Sequence, residues 1–491
     1  MGPHDQHAPE PSRADALYGA LGDAVPVPDD VYDRIVREVA EMCQSLEALH
    51  VNEERLQSPD PQPSNPRLSP TPVEPPLPPE SFAESGLSRR VVSELLLKSL
   101  YLSGSCTDGE LAEQIRLPPQ VLHDPLDILR ADGLVEFVEG EREPIWLTEA
   151  GRGVARDAFE QSRYLGPAPV SLVDYVLQCR RQSVSQLQFA PEAVRRAFSD
   201  LVMTDALLES IGASVCGGHS ILLHGPSGNG KTAIARCLGV LISRHSPIYV
   251  PYSIEIKEQI LTVFDPTVHK AEAASGKRVA ATHDRRWVQV RRPAVRFGTD
   301  FTLDTLHVQF PRDGQVATVP AHIKANGGLL ILDDFGRQLI SHQELLNRWI
   351  LALEQQVDQL RLPGGSVVRI PLDALLVFAT NLPLEAFSDP AFLRRVQQKL
   401  PIHGPSRDQF LMLFRQACRK LGVTCDDRLL LHFYETRYDR QHPPKMSDPQ
   451  DLLNAVTSLC RFRGEGPSLT EETLSTAYDR CSGITPIRST V

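Results

Sequence analysis

The chain has 491 residues, 41% of them hydrophobic and 23% charged, a balance that suits a soluble protein of two to four domains. Its formal net charge of −11 gives no global pull towards nucleic acid or anionic lipid, so any such contact needs a local basic patch. No apolar stretch approaches the ~18 residues of a membrane span, MGPHDQHAPEPSR lacks the apolar region of a secretory signal, and nine cysteines without a Cys-x-x-Cys pair argue against a disulfide framework or zinc site and for a reducing, cytoplasmic setting.

Residues 1–84 read as a disordered leader. It carries one amphipathic helix, about 29–50, whose apolar Tyr32, Ile35, Val39, Met42, Leu46 and Leu49 fall on one seam, with Asp29 or Asp30 as cap. Ten of the 23 residues from Ser58 to Glu80 are proline, which makes 58–80 an extended linker of the polyproline type. Residues 85–165 turn globular. SRRVVSELLLKSLYLSG is an amphipathic helix, and TDGELAEQI is a short one with a capping box at Thr107 and Glu110. PPQVLHDPLDILRADG is a third, and LVEFVEG and EPIWLTEAG form a hairpin. Three helices and a hairpin predict a winged-helix-like α+β domain. Such domains often bind DNA, but Ser85 to Leu165 holds nine Lys or Arg against fourteen Asp or Glu. The would-be reading helix sets Asp124, Asp127 and Asp132 against Arg130 alone. Phosphate contacts need cations, so protein contact or scaffolding is the better expectation. Residues 166–197 read as a helical connector, 198–404 as an α/β core and 405–491 as a helical lid and tail.

The core opens with SILLHGPSGNGKT, an apolar strand and a glycine-rich turn, followed by a helix. The turn fits G-x-x-x-x-G-K-[ST] through Gly225, Pro226, Ser227, Gly228, Asn229, Gly230, Lys231 and Thr232. Glycines let backbone N–H groups wrap phosphates without a Cβ clash, and the helix N-terminus adds positive potential. In this pattern Lys231 reaches the β and γ phosphates of ATP and the Thr232 hydroxyl ligates Mg²⁺. The apolar run LLIL ends at Asp333 and Asp334, two like charges that need a cation. The magnesium of bound ATP supplies one, with Asp333 in its shell. Asp334 then lies beside the γ phosphate and polarises the attacking water; alternatively it caps the helix that starts near Ser341.

These motifs, in this order, resemble the AAA+ ATPases. The apolar strand ALLVFATN ends in Thr380 and Asn381, where that family places its sensor 1 residue. DPAFLRRV brings Arg394 and Arg395 to the place of its arginine finger, unless the pair is a surface ion pair. The helices of about 405–485 match its lid. The resemblance spans roughly 200–485. DDFGRQ, with LLNRWI after it and the winged-helix-like region in front, is similar to a poorly characterised bacterial group within the family. The resemblance implies a P-loop parallel sheet with a helical lid and Mg²⁺-dependent ATP hydrolysis. It implies that Asn381 holds the lytic water or senses the γ phosphate. It implies that Arg394 or Arg395 reaches a neighbouring subunit's ATP, hence a homo-oligomer that remodels or moves a protein partner. A nucleotide-gated switch with little turnover is the alternative, and a DNA-directed regulator a further one. Two departures matter: Asp334 stands where the family has Glu, and Gln450 where it has the sensor 2 arginine. Lys445 or Arg461 could substitute, or lid closure couples weakly to nucleotide.

Between PIYVPYS (about 247–253) and the double-acid strand lie some 75 residues, long for this fold. Within them, Lys270 to Arg296 carries eight Lys or Arg against two acids, a patch that could contact nucleic acid, line a pore or a neighbour's nucleotide, or be a solvated loop with structural arginines. Tyr249 and Tyr252 are expected in the core.

Overall fold

The computed structural model describes residues 72–137, 144–272, 283–310, 316–338, 342–387, 390–439 and 441–482. The helix expected at 29–50 and most of the proline-rich linker lie outside these residues. The end of that linker, 72–80, is not a free spacer. Pro76 and Pro79 are buried, Asp284 donates its N–H to Pro76 O at 2.8 Å, and Gln178 donates to Glu74 O at 3.2 Å. Prolines suit such a strap because their fixed φ leaves little entropy to lose on docking.

The first folded unit follows the expected order. Ser88 caps α1 (Arg89–Ser103), β1 is Ser105–Cys106, and the Thr107–Glu110 capping box opens α2 (Asp108–Ile115). Then come α3 (Pro119–Ala131), β2 (Val135–Glu136) and β3 (Ile145–Leu147). The strands make a three-stranded antiparallel sheet with β3 in the middle. A further helix, α4 (Glu149–Gln161), is capped by Thr148. Leu95, Leu96, Leu100, Leu111, Leu122, Leu126 and Ile145 share one core. One cation enters it: Lys98, 1% exposed, donates to the carbonyls of Ser162 and Tyr164, and burial lowers its pKa.

The stretch expected to be a helical connector contains a strand, β4 (Val170–Ser171), before α5 (Leu172–Arg181) and α6 (Pro191–Ala197). After α7 (Asp205–Cys216) the chain enters β5 (Ile221–His224) and α8 (Lys231–Ser243). There follow β6 (Ile248–Pro251), β7 (Ser253–Ile256), β8 (Gln259–Thr262), β9 (Trp287–Val290), β10 (Ala294–Phe297), β11 (Ala317–Thr318) and β12 (Leu329–Leu332). Helix α9 (His342–Gln355), the hairpin β13 (Val357–Arg361) and β14 (Val367–Pro371), β15 (Leu375–Thr380), α10 (Pro390–Arg395) and β16 (Gln398–Pro401) complete the core. Helices α11 (Arg407–Leu421), α12 (Asp427–Arg437), α13 (Asp448–Arg463) and α14 (Glu471–Ser482) pack on a core of their own around Phe410, Phe414 and Leu453.

The main sheet is parallel, in the order β10-β12-β15-β5-β16. Its central strands are apolar throughout because helices cover both faces. The neighbour of β12 is β10, and the PIYVPYS segment is not in this sheet. That segment, as β6, pairs antiparallel with β9 in a two-stranded sheet. The insertion therefore precedes the second core strand, and β7 and β8 within it join β11 and β4 in a four-stranded sheet.

The basic segment is structural where it is described. Arg286, 3% exposed, forms an ion pair with Asp284 at 2.7 Å. Arg292, equally buried, donates to the carbonyls of Ser246, Gln182 and Gly327. Arg285 pairs with Glu113, Arg291 with Glu272 and Arg296 with Asp333. Every arginine described in Lys270–Arg296 is engaged by an acid or a carbonyl. Tyr249 is buried, as expected, and the Arg116 guanidinium lies 4.4 Å above the Tyr252 ring.

Candidate nucleotide-binding site

The strand β5 delivers the glycine-rich turn to the carboxyl edge of the sheet. A Cβ on Gly225 would collide with the Ile402 carbonyl oxygen. Gly230 begins α8 in the left-handed region at φ 85°, where glycine carries no steric penalty. Lys231, 6% exposed, folds back and donates to the carbonyls of Gly225 and Pro226, each at 2.8 Å. Burial lowers its pKa, while Asp334 and then Asp333 act in the opposite direction.

The next strand but one, β12, delivers the two acids. Asp333 is 3% exposed. Its Oδ1 accepts from the Thr232 hydroxyl at 3.0 Å and from the Asp334 N–H at 3.2 Å. Its Oδ2 pairs with Arg296 at 2.7 Å, so an arginine faces this carboxylate. Asp334 has φ 51°, a left-handed conformation that Asp tolerates better than most residues. Its Oδ1 accepts from Asn381 Nδ2 at 3.3 Å. It lines the cavity described below. Thr380, fully buried, is engaged with Phe335 O at 2.7 Å, which leaves Asn381 as the polar residue at the tip of β15.

The turn after the acids is held from two sides. Phe335, fully buried, meets Phe378, Phe387 and Phe392 at centroid distances of 5.1 to 5.7 Å. Gln338 donates to Asp333 O at 3.0 Å and accepts from Gly336 N–H at 2.8 Å.

Ser227 to Thr232, Asp333, Asp334 and Asn381 line a cavity of about 590 Å³, within the range of small-ligand sites. One wall is Val202, Met203 and Leu207; another is His403, Gln409, Leu413 and Met446. The lid touches the loop directly: Met446 N–H donates to Asn229 Oδ1 at 3.2 Å and Ser447 N–H to Gly228 O at 3.0 Å. Gln450 is outside the cavity, exposed and bonded to Asn454 at 3.0 Å. Lys445 is nearer, its Cδ 3.2 Å from where a Gly228 Cβ would stand. Arg461 is in the last turn of α13. Neither Arg394 nor Arg395 lines the cavity; Arg395 pairs with Glu354 at 2.6 Å, and Arg394 is exposed.

The structure thus gathers Lys231, Thr232, Asp333, Asp334 and Asn381 and leaves the arginine pair outside. Sequence reasoning missed Arg296, Gln338, His403 and Met446 as neighbours of the site. Only the alternation Ala-Val-Arg-Phe at 294–297 carried a local signal, that of a half-exposed strand with its arginine on the polar face.

Residues 198–270 match the family model described as magnesium chelatase, subunit ChlI. Residues 406–480 match one described as a domain of unknown function, DUF8689. No curated protein matches the chain. Among solved structures, a mutant RuvB of Thermotoga maritima is 12% identical with a TM-score of 0.33, covering 61% of this chain and 73% of that one. NtrX from Brucella abortus in complex with ATP is 16% identical with a TM-score of 0.36, covering 76% and 77%. Likeness at these scores carries no argument about function. With the ChlI match over the phosphate loop, and with β5, β12 and β15 parallel neighbours that end at the loop, the two acids and Asn381, the core of this chain has a P-loop nucleotide-binding fold of AAA+ type.

Proposed function

We propose that the chain is a Mg²⁺-dependent ATPase of the cytoplasm that works as a homo-oligomer and remodels or moves a protein partner. The observation that carries this reading is the meeting of a phosphate loop, two strand-borne acids and Asn381 in one cavity that the lid borders. The donor set suits magnesium: Thr232 hydroxyl and Asp333 carboxylate are hard oxygens, held 3.0 Å apart. Among the described residues no group of three His, Cys, Asp or Glu could hold a metal, so phosphate oxygens and water would complete the shell. Bound magnesium would offset charge on the β and γ phosphates. Gly225 to Thr232 would bind the triphosphate through main-chain N–H groups, with Lys231 leaving its two carbonyls for phosphate oxygens. Asp334 would accept the proton of the attacking water, and Asn381 would orient that water. Arg394, exposed while Arg395 is paired, is the better candidate to reach a neighbouring subunit's γ phosphate. The N-terminal unit, read as a winged-helix-like module, would contact the protein partner; its acidic α3 disfavours DNA. Among the described residues no helix is long and apolar enough to cross a membrane.

One observation favours a second reading, a nucleotide-gated switch with little turnover. Asn381 already holds Asp334 by a hydrogen bond, and aspartate is one methylene shorter than glutamate. Calorimetry tests the main proposal. MgATP and MgADP should give heat with the intact chain and none with Lys231→Ala; a well-folded wild type that gives no heat with either nucleotide overturns it. Phosphate release then separates ATPase from switch.

A further inference from the structure

Arg296 belongs to no motif, yet its guanidinium lies against the acid that matters most. On β10 the residues alternate, Val295 and Phe297 buried, Ala294 and Arg296 exposed. The exposed set faces α8: a Cβ on Gly239 would stand 3.4 Å from Ala294 Cβ. From that face Arg296 reaches Asp333 Oδ2 at 2.7 Å while half of its side chain stays in solvent. The other oxygen is engaged by Thr232 and the Asp334 N–H. The two oxygens therefore do separate work, Oδ1 towards the phosphate loop and Oδ2 towards the arginine.

We propose that Arg296 is a displaceable counter-cation for Asp333 that raises the magnesium concentration the nucleotide site requires. A buried carboxylate without a cation is costly, and Arg296 supplies one before any metal arrives. A divalent ion beside the same carboxylate then meets a like charge. The half-exposed guanidinium yields by swinging into water, at the small cost of a partly solvated ion pair. Arg296 is thus a positioning residue that acts through Asp333, and the inference rests on the ATPase reading above.

The test is a Mg²⁺ titration of the full chain with a fluorescent ADP analogue, read as nucleotide binding and not as turnover. Arg296→Gln keeps a hydrogen bond to Asp333 without the charge, and Arg296→Lys keeps the charge. The Gln variant should bind the nucleotide at roughly threefold to fivefold less magnesium, the scale of half-exposed charge pairs, with the Lys variant within about twofold of wild type. Thermal melting checks folding, and Arg296→Met is a second neutral variant for which the same shift is expected. An unchanged or higher magnesium midpoint in whichever neutral variant folds overturns the proposal, as does a Lys variant that shifts as far as Gln. A wild type that binds no nucleotide, with or without metal, rejects the ATPase reading instead.

Discussion

Asp333 and Asp334 share a chemistry and differ in everything around it. The first is 3% exposed with a hydroxyl, an N–H and a guanidinium on its two oxygens. The second is half-buried, turned by its left-handed φ, and bonded to Asn381. Asp333 is held in place by these contacts, and Asp334 faces the cavity. Replacing Asp334 by Asn keeps the size and the contact with Asn381 but removes the base. Nucleotide affinity should stay near wild type while phosphate release falls by a factor of about 100 or more, the usual contribution of a positioned general base. Unchanged release in that variant would take Asp334 out of the chemistry and leave the switch reading to explain the site.

At the level of elements, the strands that carry the site were legible because they are buried on both faces. Ile221–His224, Leu329–Leu332 and Leu375–Thr380 are short apolar runs that end in polar residues, a pattern that only a covered parallel sheet requires. The same rule does not single out the next strand of the sheet. Ile248–Pro251 is buried at every position, but in a two-stranded ribbon of the insertion. Ala294–Phe297 is an edge strand of the main sheet with two exposed residues, hidden among arginines. Burial pattern reports coverage, not sheet membership, so it does not separate an interior ribbon from a true edge. Arg296 stays hidden for the same reason, since its place beside Asp333 follows only from the β10–β12 pairing. One element junction carries a pH signature. Asp373, before β15, accepts from the Ser183 hydroxyl at 2.9 Å and from the Val184 N–H, with Arg292 as its nearby cation. Burial still pushes its pKa up to about 6. The native state therefore retains a proton that the unfolded chain releases, and stability falls as pH rises from about 4 to about 6. Asp373→Asn removes this titration, so its melting temperature relative to wild type should rise across that window and level off above it. A constant difference between about pH 4 and about pH 7 would mean that the carboxyl titrates normally.

At the scale of the whole chain, the N-terminal unit is fastened to the insertion. Tyr164 OH lies 2.9 Å from Ser253 Oγ, Ser88 N–H donates to the Glu255 carboxylate, Arg285 pairs with Glu113, and the strap 72–80 runs across α5 and Asp284. At the other end the lid sits on the phosphate loop through Met446 and Ser447. A nucleotide that moves the loop would act on the lid first. In the proposed homo-oligomer, the arginine pair is where a neighbouring subunit would reach the site. Arg395 is tied to Glu354 in its own subunit, so Arg395→Ala should cost under about 1 kcal/mol of stability and little turnover. In the proposed oligomer, exposed Arg394 would act across the interface. Arg394→Ala should bind ATP yet release little phosphate, and Lys231→Ala should do neither. Mixed and allowed to co-assemble, the two variants restore what each lacks: a Lys231→Ala subunit offers Arg394 to the intact loop of an Arg394→Ala subunit. Phosphate release in the mixture should then exceed the sum of the separate proteins and rise with total concentration. If subunits that co-purify show no gain, Arg394 does not act in trans.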